Sequence, residues 1–193
     1  SIAALAKSKG IAELEVIYDE FLKNEGTNLV YACFTPYDNH KLDFVERAYS
    51  LKSSVAGGSD GGAHCGLICD ASMPTTNLSH WARDREAGKK IPIELIVRKQ
   101  TKDTAETYGL FDRGEIKTGM LADLNIIDFE KLNVTHPKMV YDLPLGGRRL
   151  IQTSSGYLAT VKSGEVVYEA GEATGVLPGK LIQPNEIDSG GYI

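Results

Sequence analysis

The residues best suited to chemistry lie together between Ser54 and His64, where small and apolar residues lead into an acid, glycines and a histidine. The pattern predicts a buried strand over 54–59 that delivers Asp60 to its carboxyl end. The glycines after Asp60 let the backbone turn away and leave room for a ligand. Because active sites of parallel α/β folds lie at that end of the strands, Asp60 is the leading catalytic candidate.

Each candidate residue also has a structural interpretation. Ser-Asp-Gly-Gly is an ordinary turn sequence, in which Asp and Gly supply local hydrogen bonds and positive φ angles. His64 could bind substrate or a metal, or it could cap the next segment. Arg83 lies in a charged run typical of a solvated helix face, although its guanidinium could also clamp a substrate carboxylate.

The elements around this stretch alternate between helix and strand. Apolar residues at spacings of three and four predict helix over 2–24, broken at Gly10, and a second helix over 42–49. The apolar run 28–34 and the small-residue run 54–59 predict strands that are covered on both faces. An α-β-α-β order with short connections predicts a parallel sheet and an α/β fold.

A long excursion over 65–92 follows the second predicted strand, and residues 76–81 predict a short helix within it. Pro92 suits the first turn of a further helix, and Thr104 could cap another that ends at Gly109. Beyond 110, residues 121–127 predict a strand. Residues 157–169 predict a hairpin with a two-residue turn at Ser163-Gly164. The chain therefore divides into 1–110, a small β region over 111–170, and an extended arm over 171–193.

Composition narrows the function classes. The formal net charge of -5 and the absence of a basic stripe disfavour a nucleic-acid partner. No apolar run has membrane-spanning length, and there is no signal-peptide pattern. The three cysteines, Cys33, Cys65 and Cys69, lack secreted-framework spacing and predict reduced thiols in the cytoplasm. No HxH, HxxxH or HExxH motif is present, so no self-contained metal site is recognisable.

Several segments resemble a known family. Residues 57–64 resemble the strand-eight motif of the D-aminoacylase branch, the N-acyl-D-amino-acid deacylases, of the amidohydrolase superfamily. Further segments agree with that branch in the same order along the chain: 112–128, 141–144, 164–167 and 171–179. The resemblance implies a C-terminal fragment holding the last βα units of a metal-dependent hydrolase TIM barrel, followed by part of a small β-sandwich.

The resemblance also implies a reaction, the hydrolysis of the amide of an N-acyl-D-amino acid by a water that zinc activates. Asp60 would contact the metal region, take a proton from the attacking water and pass it to the leaving amine. The residues expected to contact substrate are Ser59, Gly61, Gly62, His64 and Arg83.

One departure from the family qualifies these expectations. The family's metal-binding histidines and cysteine belong to barrel strands that do not match any part of this sequence, and Cys33 does not stand at the position of that cysteine. We therefore expect the chain alone to be inactive, and to self-associate or to associate with the missing N-terminal part. Two alternatives are an amidohydrolase acting on cyclic amides, like hydantoinases and dihydroorotases, and a non-catalytic assembly module or split-enzyme subunit.

Overall fold

The computed structural model describes residues 1–32, 41–59, 62 and 64–182. The chain divides into two compact units, Ser1–Leu42 and Asp43–Ile193. The boundary predicted near residue 110 between barrel and β region stays a prediction. Within the described residues, no helix is long and apolar enough to cross a membrane.

The first unit contains two helices, α1 over Ile2–Lys9 and α2 over Glu13–Gly26. Gly10 ends α1 with a φ of 68°, which confirms the predicted break. The Ser1 side chain accepts a hydrogen bond from the Ala4 amide and so caps α1. In α2, helical backbone angles stop at Lys23, shortly before the predicted end at Gly26.

The two predicted strands are corrected by the structure. Residues 28–32 and 53–59 form no strand, and Val55 is 37% exposed, so these segments are not covered on both faces. A strand requires a neighbour to pair its N–H and C=O groups. Among the strands that the structure describes, none pairs with either segment, and the predicted parallel sheet is not formed there.

The second unit begins with helical segments, most of them at predicted positions. They are α3 over Asp43–Ser50, α4 over Met73–Thr76, a π-helix over Asn77–Asp84, α5 over Ile93–Gln100 and α6 over Lys102–Thr107. Pro92 stands at the N-cap of α5, one residue before its first turn. Thr104 does not cap α6 as predicted. It lies inside the helix and donates to the Lys99 carbonyl, because α6 already begins after Thr101.

The β region consists of antiparallel pairings. Its four-stranded sheet has the order β1 (Leu124–Ile127), β6 (Tyr157–Lys162), β7 (Glu165–Glu169) and β8 (Glu172–Ala173). Two smaller pairs are β2 (Asn133–Val134) with β5 (Ser154–Ser155), and β3 (Lys138–Leu143) with β4 (Gly147–Ile151). The β6–β7 hairpin turns at Ser163 and Gly164, both with positive φ, as predicted.

The buried apolar residues of the second unit include helix residues and one residue of the β region. Ile96 of α5 and Leu132 before β2 are fully buried, and Leu78 and Trp81 of the π-helix are buried as well. Two charged residues, Arg85 and Lys99, are as buried as this apolar core. Charged side chains seldom reach such burial without polar partners, so the contacts of Arg85 and Lys99 are described with the site.

Candidate functional site

The predicted site residues divide into described and undescribed positions. Asp60 and Gly61 lie outside the described residues, and so does Cys33. Ser59 is half-buried, whereas Gly62 and His64 are exposed. The His64 carbonyl accepts hydrogen bonds from the amides of Leu67 at 2.8 Å and Ile68 at 3.0 Å, so His64 opens a helical turn. These are bonds of the backbone, so capping by the His64 side chain and its binding of substrate or metal both stay predictions.

We call residues 54–64 the site segment. Just at its start, the ammonium group of Lys99 donates to the carbonyl oxygens of Leu51 at 2.7 Å and Ser54 at 2.5 Å. Just past its end, the Leu150 amide of β4 donates to the Cys65 carbonyl at 2.6 Å. The site segment is therefore tied to α5 on one side and to the β region on the other.

The chain beyond the site segment is bound further to the β region. Ser72 donates to Gln152 at 2.6 Å, and the hydroxyls of Thr75 and Tyr157 share a hydrogen bond of 2.8 Å. These are contacts between residues that are distant in sequence. They attach the excursion over 65–92 to the strands that the resemblance assigns to a β-sandwich.

Arg83 projects from the π-helix towards the chain that leads into β2. Its guanidinium has five N–H donors, and the structure gives five donor contacts. Two go to Asp84, at 2.6 and 2.8 Å. The others go to the carbonyls of Phe129, Glu130 at 3.2 Å and Leu132 at 2.7 Å. The Asp84 hydrogen bond raises the pKa of Arg83. These contacts give Arg83 a structural role, and its substrate role stays a prediction.

Arg85 forms a second cluster, with a buried cation against an aromatic ring. Its Cζ lies 4.3 Å from the centroid of the Trp81 ring, and Nη2 donates to Asp43 at 2.9 Å. Nε donates to the Ala87 carbonyl at 2.6 Å, while Nη1 is buried without a hydrogen-bond partner among the described residues. The sequence carries a signal for this contact, because side chains four residues apart meet on a helix.

Aromatic and imidazole groups complete this second cluster. The His80 ring meets Trp81 edge-on at 5.3 Å, and burial followed by the nearby Arg85 charge lowers the pKa of His80. Tyr49 of α3 lies 6.5 Å from Trp81, and burial raises the pKa of Tyr49 to about 12. Both effects favour neutral rings, so the aromatic side of the cluster carries little charge.

Cys65 and Cys69 are half-buried free thiols; Cys65 lies in the turn over 64–67 and Cys69 follows it. Burial, helped by the neighbouring Asp70 carboxylate, raises the pKa of the Cys69 thiol. A raised pKa keeps the group protonated and makes it a poor nucleophile and metal ligand at neutral pH.

A groove lies against the four-stranded sheet. Its volume is about 600 Å³, and its lining comes from residues of β1, β6, β7 and β8 and from 175–179 of the arm. None of the lining residues belongs to the site segment. The groove is therefore separate from the chemistry that the sequence predicts.

Comparison with known proteins identifies the family. The amidohydrolase family model matches residues 3–168, which is most of the chain. This chain belongs to the amidohydrolase family. Membership confirms the amidohydrolase superfamily to which residues 57–64 and the segments over 112–128, 141–144 and 164–167 pointed. A comparison with curated proteins gives no match.

One solved amidohydrolase structure is similar to this chain. It is a D-aminoacylase, described as defining a novel subset of amidohydrolases, with 27% sequence identity and a TM-score of 0.40. The alignment covers 53% of this chain and 19% of that enzyme, so it spans about a fifth of the enzyme's length.

Amidohydrolases are generally metal-dependent enzymes. Within residues 1–32, 41–59, 62 and 64–182, no group of three or more His, Cys, Asp and Glu side chains could hold a metal ion. The described residues therefore do not fit a zinc site.

Proposed function

We propose that this chain carries the Asp60 segment of a cytoplasmic amidohydrolase that hydrolyses the amide bond of N-acyl-D-amino acids. The observation that carries the proposal is the family match over 3–168, which spans the whole Ser59-Asp60-Gly61-Gly62 motif. The anchoring of the site segment by Lys99 and Leu150 supports it, because a catalytic group must be held in place.

In this proposal Asp60 is the general base and then the general acid. Its carboxylate takes a proton from the attacking water and returns it to the leaving nitrogen, so that the C–N bond breaks with a neutral amine leaving. Ser59, Gly61 and Gly62 contact the substrate, with His64 at the edge of the site. The zinc that the resemblance implies would lower the pKa of the attacking water, and the described residues supply no group of three or more side chains to hold it.

We further propose that residues 1–110 belong to the last βα units of a TIM barrel in the full protein, although their described residues form no strand of their own. The β-sandwich region over 111–170 and the arm over 171–193 follow, and Glu172–Ala173 of the arm pairs with β7. The chain alone is then inactive and associates with the polypeptide segment that supplies the other strands. Large apolar side chains in solvent support association, among them Leu67, 83% exposed, and Ile116, 91% exposed.

The test compares the full reading frame that encodes this chain with the chain by itself. Both are assayed for amine release from N-acetyl-D-amino acids, N-acetyl-L-amino acids and hydantoins. We expect the full protein to hydrolyse the D-substrates and the chain alone to be inactive. Preferential hydrolysis of hydantoins would favour the cyclic-amide alternative, and no hydrolysis of any amide by the full protein would reject the proposal.

The Asp60 role is tested by Asp60→Asn in the full protein. We expect kcat to fall by about 10²–10⁴-fold, the range that general acid–base catalysis contributes. Asp70→Asn is the matched control, because Asp70 is an exposed aspartate in the segment that follows. Equal activity of the Asp60→Asn and Asp70→Asn proteins would remove the role assigned to Asp60.

The assembly-module alternative rests on the same exposed apolar side chains. Sedimentation of the chain alone distinguishes it from the catalytic proposal. A stable complex with itself, together with an inactive full protein, would favour the assembly module. A monomer that binds no apolar dye would contradict both this alternative and the proposed association.

A further inference from the structure

We propose that Lys99 is a positioning residue for the site segment. From α5, it fixes the course of the chain that leads to Asp60. The proposal rests on the proposed function for the role of Asp60. Its structural part, the fixing of residues 51–59 by Lys99, depends only on contacts among described residues.

The first argument is that the buried ammonium group of Lys99 has an acceptor for each of its hydrogen-bond donors. Lys99 is 3% exposed, and an ammonium group has three N–H donors. Nζ contacts three acceptors: the carbonyls of Leu51 at 2.7 Å and Ser54 at 2.5 Å, and a carboxylate oxygen of Asp103 at 3.4 Å. A lysine that only covered the surface of α5 would keep its charge in water. The burial of Lys99 is therefore explained by the two carbonyls that it binds.

The second argument is the local structure of the segment that Lys99 binds. Helix α3 ends at Ser50, and its last carbonyl groups have no partner inside the helix. The Leu51 amide and the Ser54 hydroxyl both bind the Ala48 carbonyl, and the Ser54 hydroxyl also reaches the Leu51 carbonyl at 3.0 Å. These bonds close a tight turn, and the cation of Lys99 lies at the negative end of α3, where its charge is favoured.

The third argument is the stiffness of the support. Lys99 lies in α5 one turn after Ile96, which is fully buried, and the Lys99 carbonyl accepts the Thr104 hydroxyl at 2.7 Å. Residues 55–59 have no strand pairing, so Lys99 supplies the support that a neighbouring strand would supply elsewhere. Because reaction rates depend steeply on placement at the 1 Å level, an anchor six positions before Asp60 affects catalysis.

The test replaces Lys99 by Met, which keeps the length of the side chain and removes its donors. Amide hydrogen exchange of the chain itself reports on residues 51–59, and kcat and KM of the full protein report on the site. Within 51–59 the hydrogen-bonded amides are those of Leu51 and Ser54, and we expect their exchange to accelerate at least about tenfold. We expect kcat to fall by about 10²-fold, with KM changed less than about threefold. Lys99→Arg keeps donors for both carbonyls, and it should recover part of both losses.

Two control variants separate positioning from general destabilisation. Lys102→Met makes the same change one turn later, at a lysine whose partners among the described residues are the carboxylates of Glu106 and Glu115. Ile96→Ala weakens the same helix without touching the two carbonyls. When assayed below their melting temperatures, both variants should have a kcat within about threefold of the wild-type value. A Lys99→Met protein with unchanged exchange over 51–59, or an Ile96→Ala protein with an equal loss of kcat, would overturn the proposal.

The two proposals fail in different ways. If the full wild-type protein hydrolyses no amide, the proposed function fails, and with it the catalytic consequence of Lys99. The exchange experiment then still decides whether Lys99 fixes residues 51–59. If Lys99→Met does not fold, Lys99→Arg is compared with wild type instead. Equal exchange over 51–59, together with equal kcat and equal KM, would contradict positioning.

Discussion

The guanidinium of Arg85 stacks on the indole ring of Trp81, with its central carbon 4.3 Å from the ring centroid. The two residues lie four positions apart, and Trp81 belongs to the π-helix that ends just before Arg85. Arg85 also reaches Asp43 at the start of α3, so this one side chain joins the π-helix to α3. Its 4% exposure places the contact inside the fold.

Replacing Arg85 should therefore destabilise the second unit. Arg85→Met removes the stacked cation, the Asp43 ion pair and the donor to the Ala87 carbonyl. We expect the free energy of unfolding to fall by about 2 kcal/mol, as for a desolvated cation–π contact. Urea unfolding measures the change. Arg98→Met, at an exposed arginine that also pairs with an aspartate, is the control and should change stability little.

Arg83 should influence stability rather than substrate affinity. Arg83→Met leaves the carbonyls of Phe129, Glu130 and Leu132 without their donor. We expect a loss of about 2 kcal/mol in unfolding free energy, because hydrogen bonds to a charged group are involved. Faster amide exchange should appear around residues 129–132. A large rise in KM at unchanged stability would instead support the predicted clamp on a substrate carboxylate.

Two glycines of the β region provide a matched pair. Gly156 and Gly164 have φ angles of 92° and 86°. A Cβ at Gly156 would lie 2.6 Å from the Leu132 Cα, whereas nothing lies within 4 Å of a Cβ at Gly164. Gly164→Ala should lose about 1 kcal/mol from backbone strain alone, and Gly156→Ala should lose clearly more. Thermal unfolding of the two proteins checks this, and equal losses would contradict the close approach.

Acid should weaken the junction between the loop before β1 and the β6–β7 turn. Burial acts to raise the pKa of Asp123, but hydrogen bonds from Lys162 and the Ser163 amide outweigh it and leave the pKa lowered. A carboxyl with a lowered folded-state pKa stabilises the fold above its unfolded value, about 4, and loses this contribution as the pH falls below it. Asp123→Asn should therefore show a smaller difference in unfolding free energy between pH 7 and pH 3 than wild type. An unchanged difference would exclude Asp123 as a source of acid sensitivity.

Local signals were sufficient for much of the fold. Gly10 predicted the break between α1 and α2 because a left-handed backbone angle suits glycine. Pro92 marked the beginning of α5, and Ser163-Gly164 predicted the hairpin turn. These features depend on a few neighbouring residues, and the short-range physics that determines them can be read along the chain.

The strand predicted over 54–59 was wrong because strand formation depends on a partner, and a run of small residues does not reveal which partner is present. The role of Lys99 was equally invisible. Its position beside Arg98 suggests a solvated helix face, and the carbonyls that bury it belong to residues more than 40 positions earlier. Asp60 and Gly61 lie outside the described residues, so the predicted centre of the site stays a prediction.

The π-helix over Asn77–Asp84 affects how this chain tolerates insertions and deletions. The Arg85 amide bonds to the His80 carbonyl five residues back, one residue more than in an α-helix. Deleting one residue there would change the angular positions of the helix residues that follow it, because each residue contributes its own step about the helix axis, about 100° in an α-helix. Trp81 and Arg83 could then not both keep their present contacts, with Arg85 and with the chain before β2. A deletion of one residue in this π-helix should therefore be more harmful than most substitutions there.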